Sequence, residues 1–135
     1  MQQLKQDILA FAKTNGIDLI GFADRSRFEG VDPRQNPFSI FPEAKTVILI
    51  GKRICRGSLR GVEEGTNFGD YALFGKNWLE DEFLSLAAYN LTNMIESNGW
   101  EAVPIFPEIA TVEKSTFLSQ CEFPVSPPHS IMKTE

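Results

Sequence analysis

The chain has 135 residues and a mass of 15.1 kDa, with 42% hydrophobic and 23% charged residues, proportions that fit one ordinary globular domain with a real core. A net charge of −5 and a pI near 4.9 argue against a nucleic-acid partner held through its phosphates, which takes clustered Lys and Arg. No apolar run approaches the roughly 18 residues of a membrane span, and the opening MQQLKQDILAF lacks the basic region, apolar block and cleavage site of a secretory signal, so the expectation is a cytoplasmic protein without a membrane partner.

Residues 2–15 set Leu4, Ile8, Phe11 and Ala12 at helical spacing, and Asn15-Gly16 supplies the pair that commonly ends a helix. IDLIGFA, residues 17–23, reads as a strand. Residues 24–44 carry Pro33, Pro37 and Pro42 and predict little regular structure beyond one helical turn at 25–28. Phe38, Ile40 and Phe41 interrupt that polarity; they either tuck the loop onto the core or offer a patch to a partner. Residues 45–54, KTVILIGKRI, give the clearest strand, and the unbroken Val47 to Ile50 run predicts a central position covered on both faces.

Glycines at 57, 61, 65, 69 and 75 punctuate residues 55–76. At about 1 kcal/mol per Gly relative to Ala, the first four together cost a helix roughly 4 kcal/mol, so a continuous helix is not expected there. A long glycine-rich connection wraps a ligand, a partner subunit or the domain's own core; the Rossmann and Walker A patterns are both missing. A long helix over residues 77–98 follows, with Asn77 as N-cap, Glu80 completing a capping box and Asp81 and Glu82 favoured by the dipole. Leu79, Phe83, Leu86, Ala87, Leu91, Met94 and Ile95 form its apolar stripe, Leu84 and Tyr89 broaden it, and Asn98-Gly99 stops it. Its length of roughly 30 Å suits the spine of a domain, and the broadened stripe suits a second layer or a homodimer. WEAVPIF, residues 100–106, reads as a strand that Pro104 confines to an edge or an end. Residues 111–120 can form a short helix, and residues 108–135 as a whole have the composition of an irregular tail beyond a domain of residues 1–107.

Reactive residue types are sparse. Cys55 and Cys121 stand apart with a single His129, which is too little for a Cys/His zinc site or an iron–sulfur cluster; two free thiols are expected. Arg53 and Arg56 flank Cys55 and would favour a reactive thiol, whereas a lone thiol beside a buried strand is ordinarily inert. Glu63-Glu64 reads as a solvated pair or as weak metal ligands. Lys52, Arg53, Arg56 and Arg60 form a basic cluster that is either a solvated face or a seat for an anionic group. Phe68, Tyr71, Phe74 and Trp78 gather at the glycine-rich connection and the helix start, where rings can flank a flat cofactor or form a small core beneath the loop.

The segments FPEAKTVILIGKRI, RGSLRGVEEGTNFGDYALFG and NWLEDEFLSLAAYNLTNMIESNGWEAVPI, in this order, resemble the N-terminal half of epoxyqueuosine-reductase-like proteins, a cobalamin and iron–sulfur family related to reductive dehalogenases. The likeness covers roughly residues 1–107. It implies an α+β, nitroreductase-like sandwich, with a small mixed sheet and two main helices, that helps to wall a corrinoid. Full-length members continue into a half that carries the catalytic acid and the cysteines of two [4Fe–4S] clusters, which these residues do not include. Where the better-studied reductases tend to have an Asp-Tyr-His run after Gly75, this chain has Asn77, Trp78 and Leu79.

The resulting expectation is a cobalamin-binding domain that is not catalytic alone and takes its iron–sulfur half from a partner chain or a missing C-terminal segment. Arg53, Arg56, Arg60, Phe68, Tyr71, Phe74 and Trp78 are its cofactor-binding candidates. The alternatives are an assembly module that dimerises through helix 77–98, and a flavin-dependent nitroreductase-like protein with the arginines near the flavin phosphate.

Overall fold

The computed structural model describes residues 2–105; the expected helix at 111–120, the tail, Cys121 and His129 lie outside them. The chain runs through α1 (Gln2–Thr14), β1 (Leu19–Asp24), short 3-10 turns at Arg25–Phe28 and Pro37–Ser39, and β2 (Thr46–Gly51). A further 3-10 turn at Arg56–Leu59 leads into the single-turn α2 (Arg60–Glu63). Two π-helical segments, Tyr71–Asn77 and Leu79–Leu84, then lead into α3 (Ser85–Ser97). Among the described residues no helix is long and apolar enough to cross a membrane.

β1 and β2 pair antiparallel, from Leu19 opposite Gly51 to Asp24 opposite Thr46. The side chains of β2 therefore alternate between two cores. Ile48 and Ile50, with Ile20 and Phe22 of β1, pack on a cluster of Ile8, Ala12, Ile17, Ala87, Leu91 and Ile95 from α1, α3 and the turn between α1 and β1. Val47 and Leu49 face the other way, onto Ala23, Phe28 and Phe38. Each large aliphatic side chain so buried contributes about 1.5–3 kcal/mol. β2 is covered on both faces, as its unbroken apolar run predicts.

The second core is closed by the loop itself. Phe28 and Phe38 meet edge to face at 5.5 Å, and Asn36 accepts a hydrogen bond from the Phe38 N–H at 3.0 Å while its amide donates to the Phe28 carbonyl at 3.3 Å. Phe38 is buried and Phe41 half-buried, as the tucked-loop reading requires, but Ile40 is 55% exposed. The helix stops at Asn15-Gly16 and Asn98-Gly99 form as read, both glycines taking positive φ, 69° and 82°.

Three expectations are corrected. Among the described residues the sheet is a two-stranded antiparallel pair, without the mixed pairing or the central place for β2 that the sequence predicts. Residues 101–105 make no ladder and no backbone hydrogen bond among the described residues; Pro104 has no N–H to give. The long helix starts well before Asn77. The Asn67 side chain accepts from the Gly69 N–H at 2.8 Å and the Phe68 carbonyl from the Ala72 N–H at 3.0 Å, and backbone angles stay helical through Asp70, Trp78 and Leu84. Asn67 with Asp70 three residues on is the same type of opening as Asn77 with Glu80, and it is the one the chain uses.

The glycine-rich connection folds onto itself before this start. Gly61 accepts at its carbonyl from the Thr66 and Asn67 N–H groups at 2.9 and 3.2 Å. A Cβ on Gly61 would stand 2.1 Å from the Asn67 carbonyl oxygen, so only glycine permits this closure.

Candidate functional site

A cleft of about 300 Å³ opens where the end of β2 passes under the π-helical stretch, lined by Gly16, Asp18, Lys52, Arg53, Cys55, Phe74, Leu79 and Phe83. Its floor is held by the turn after α1. Lys52 Nζ donates to the Gly16 carbonyl at 2.6 Å, near the negative end of the helix. The Asp18 carboxylate accepts from the Arg53 backbone N–H at 2.8 Å, and the Asp18 N–H donates to the Gly51 carbonyl at 3.0 Å. These bonds fix the backbone at 51–53 and leave the Arg53 side chain exposed at the mouth. With Lys52 and Asp18 offsetting each other, Arg53 gives the cleft a net positive character.

The roof depends on the helix type. Phe74 and Phe83 are nine residues apart, which in an α-helix of 3.6 residues per turn is about two and a half turns and puts them on opposite sides. In i→i+5 turns the same interval is close to two full turns. Phe74, Leu79 and Phe83 thereby share one face and cover the cleft. The wider turn is visible in a single bond: the Trp78 N–H reaches the Leu73 carbonyl, five residues back. Extended π-helix is rare and concentrates at functional sites.

Of the residues singled out from sequence, Arg53 and Phe74 meet in this cleft. Trp78 stands edge to face with Phe74 at 5.2 Å, and Tyr71 lies against Gly75 one turn away. Arg56 and Arg60 do not line it. They pair with Glu63 at 2.7 Å and Glu64 at 2.9 Å along and beside α2, a solvated set of exposed ion pairs, and these partners account for the two glutamates. Phe68 is 63% exposed, apart from the cleft. Cys55, a free exposed thiol, does line it. Leu79, Phe83 and Asp18 were not singled out as site residues, because α-helical spacing assigns the first two to the apolar stripe, away from Phe74, and nothing local marks the third. Among the described residues no group of His, Cys, Asp and Glu is placed to hold a metal ion.

A second, larger hollow of about 680 Å³ runs along β2 on its side away from β1. It is walled by α1 and α3 on one flank, by Pro37, Phe38 and Phe41 on the other, and by residues 100–105.

The chain is 37% identical to an epoxyqueuosine reductase of Bacillus cereus over 36% of its own length and 18% of that protein's. It is 58% identical to an epoxyqueuosine reductase of Bacillus anthracis, with the same 36% and 18% covered. Part of the chain is epoxyqueuosine reductase-like. The chain thus spans about a fifth of the length of the curated reductases it matches. No protein-family model matches it, and no solved structure does.

Proposed function

We propose that this chain is a cofactor-binding domain, over residues 1–107, of an epoxyqueuosine reductase-like oxidoreductase. In this reading the cleft under the π-helical stretch is one wall of a corrinoid site. The observation that carries it is the meeting of Arg53 with Phe74, Leu79 and Phe83, a cationic mouth beside an apolar, ring-bearing face that only i→i+5 turns can assemble. A flat macrocycle with anionic or amide substituents asks for that combination.

The fit is to one face of such a group. At about 300 Å³ the cleft is at the small end of ligand sites, so a corrinoid would lie across it and be covered by a second wall. The corrinoid supplies the redox chemistry when bound; the residues present here bind and orient. Arg53 meets the polar periphery, while Phe74 and Phe83 exclude water from the ring. The 135 residues hold two cysteines, so the thiolates of a [4Fe–4S] cluster come from another segment or chain, and the domain is not catalytic by itself. The nitroreductase-like sandwich is the completed form of this fold in the same reading.

Titration of the purified chain with hydroxocobalamin, followed by absorbance and by melting temperature, is the test. The expected result is a saturable spectral change with a rise in Tm, weakened in Phe74→Ala and in Arg53→Ala. A chain that ignores cobalamin at concentrations well above micromolar overturns the reading. Binding of FMN in its place would favour the flavin alternative.

One observation supports a second reading, an assembly module. Leu86 and Tyr89 are 59% and 64% exposed on the side of α3 opposite Ala87, Leu91 and Ile95, and two such faces can pair in a homodimer. Light scattering that gives a monomer at every concentration excludes it.

A further inference from the structure

Residues 71–84 sit between two helix types. Tyr71–Asn77 and Leu79–Leu84 are π-helical, but Trp78 between them and Ser85 after them keep ordinary α angles, φ −67° and ψ −32° at the first and φ −63° and ψ −42° at the second. The Trp78 N–H nevertheless reaches back to the Leu73 carbonyl. Passing from one type to the other takes small backbone rotations and a shift of each acceptor by one residue.

Side-chain spacing shows which contact the wider turns secure. Leu79 and Phe83, four residues apart, are neighbours on an α-helix as well, and so are Phe74 and Trp78, whose rings meet at 5.2 Å. Neither pair selects a helix type. Phe74 with Phe83 does, because i→i+5 turns bring both onto the cleft. In an α-helix Leu79 and Phe83 would continue the four-residue row of Ala87, Leu91 and Ile95, and Phe74 would lie on the far side, half a turn from Phe83.

We propose that residues 71–84 are a helix-type switch with Phe74 as its latch. Packed on the cleft, Phe74 holds the wider turns; when it leaves, the stretch becomes α-helical and the roof opens. This rests on the cleft being a binding site, as proposed above, but not on which cofactor it takes. Phe74 and Phe83 cover the cleft while remaining partly exposed, so an occupant touches both rings in the π form and loses Phe74 in the α form. It therefore binds the π form more tightly and shifts the population toward it.

NMR scalar couplings across hydrogen bonds, from each amide nitrogen to its acceptor carbonyl carbon, identify the acceptor directly and can be read on the ligand-free 135-residue chain. In the unmodified chain the Trp78 N–H should couple to the Leu73 carbonyl. In Phe74→Ala that coupling should be lost and replaced by one to the carbonyl of residue 74. Phe83→Ala, which removes the partner ring and leaves Phe74 in place, should give the same shift. The i→i+4 couplings of Leu91 and Ile95 should persist in both variants, which shows that α3 is intact. Lys76→Ala, an exposed change within the same stretch that also gains helix propensity, should keep the Leu73 coupling. The proposal is overturned if either phenylalanine variant keeps the Leu73 coupling, if Lys76→Ala loses it, or if the unmodified chain already pairs Trp78 with the Phe74 carbonyl. Because no cofactor is added, a failure to bind hydroxocobalamin overturns the corrinoid reading and leaves this result to be read separately.

Discussion

Tyr71 and Gly75 share space that holds only one of them beyond the backbone. A Cβ on Gly75 would stand 2.5 Å from Cδ2 and 2.9 Å from Cε2 of the Tyr71 ring. The buried Gly75 thus lets that ring lie flat on the π-helical stretch.

Two effects compete in Gly75→Ala. Alanine favours a helix by about 1 kcal/mol, but the displaced ring costs about 1–3 kcal/mol. The substitution should therefore destabilise the protein by about 1 kcal/mol in urea denaturation. In a Tyr71→Ala background the sign should reverse, because the obstacle is gone and the propensity term remains. A destabilisation of equal size in both backgrounds would rule out the ring as its cause.

α3 offers a contrast within one helix. Leu91 is 5% exposed and Leu86 59%. Leu91→Ala should cost about 2–5 kcal/mol by leaving a cavity against α1 and β2, whereas Leu86→Ala should stay within about 0.5 kcal/mol. Thermal denaturation of the two variants side by side reads both numbers.

Arg25 fastens the loop that forms the second core. Its guanidinium lies 5.0 Å from the centre of the Phe38 ring, donates to the Ala44 carbonyl at 3.3 Å and also donates to the Pro42 carbonyl. Arg25→Met should lower stability by about 1–2 kcal/mol and hasten proteolytic cutting between residues 29 and 36. Arg25→Lys should not restore it, since an ammonium lacks the planar fork that spans two carbonyls. Equal cutting rates in the three proteins would refute the role.

Asp32 adds a small dependence on acidity. The Arg34 side chain, and secondarily its backbone N–H, hold the Asp32 carboxyl below the ordinary 3.8. A depressed folded value means that the stabilisation is present above the unfolded value and is lost as pH falls through the folded one. A carbon-detected NMR titration should place the Asp32 midpoint below 3.8, and Asp32→Asn should lack this acid-side loss. A midpoint at or above the ordinary value would sink the assignment.

Much of this architecture was legible in the sequence because it rests on local rules. The period of Leu4, Ile8, Phe11 and Ala12 names α1, the β-branched run at 47–50 names β2, and two Asn-Gly pairs end two helices. What was not legible depends on turn geometry and on distance. Reading residues 77–95 at 3.6 residues per turn joins Phe83 to the buried stripe, yet it is 42% exposed because it lies in the wider turns that precede α3, and Leu86, counted with the same stripe, falls on the opposite side of α3 from Leu91 and is 59% exposed. The cleft was half seen. Arg53 and Phe74 could be nominated by type, but Asp18 and Lys52 act there through backbone groups far away in sequence, and no local pattern reports such bonds.

β2 hands its even-numbered side chains to one core and its odd-numbered ones to the other. A single-residue insertion or deletion within Thr46–Gly51 would exchange the two sets, sending Val47 and Leu49 toward α1 and Ile48 and Ile50 toward Phe28. Point substitutions there can be absorbed one core at a time, whereas a change of length strikes both together. Descendants of this sequence should therefore vary freely in loop length between Phe28 and Pro37 while inheriting the six-residue span of β2 unchanged.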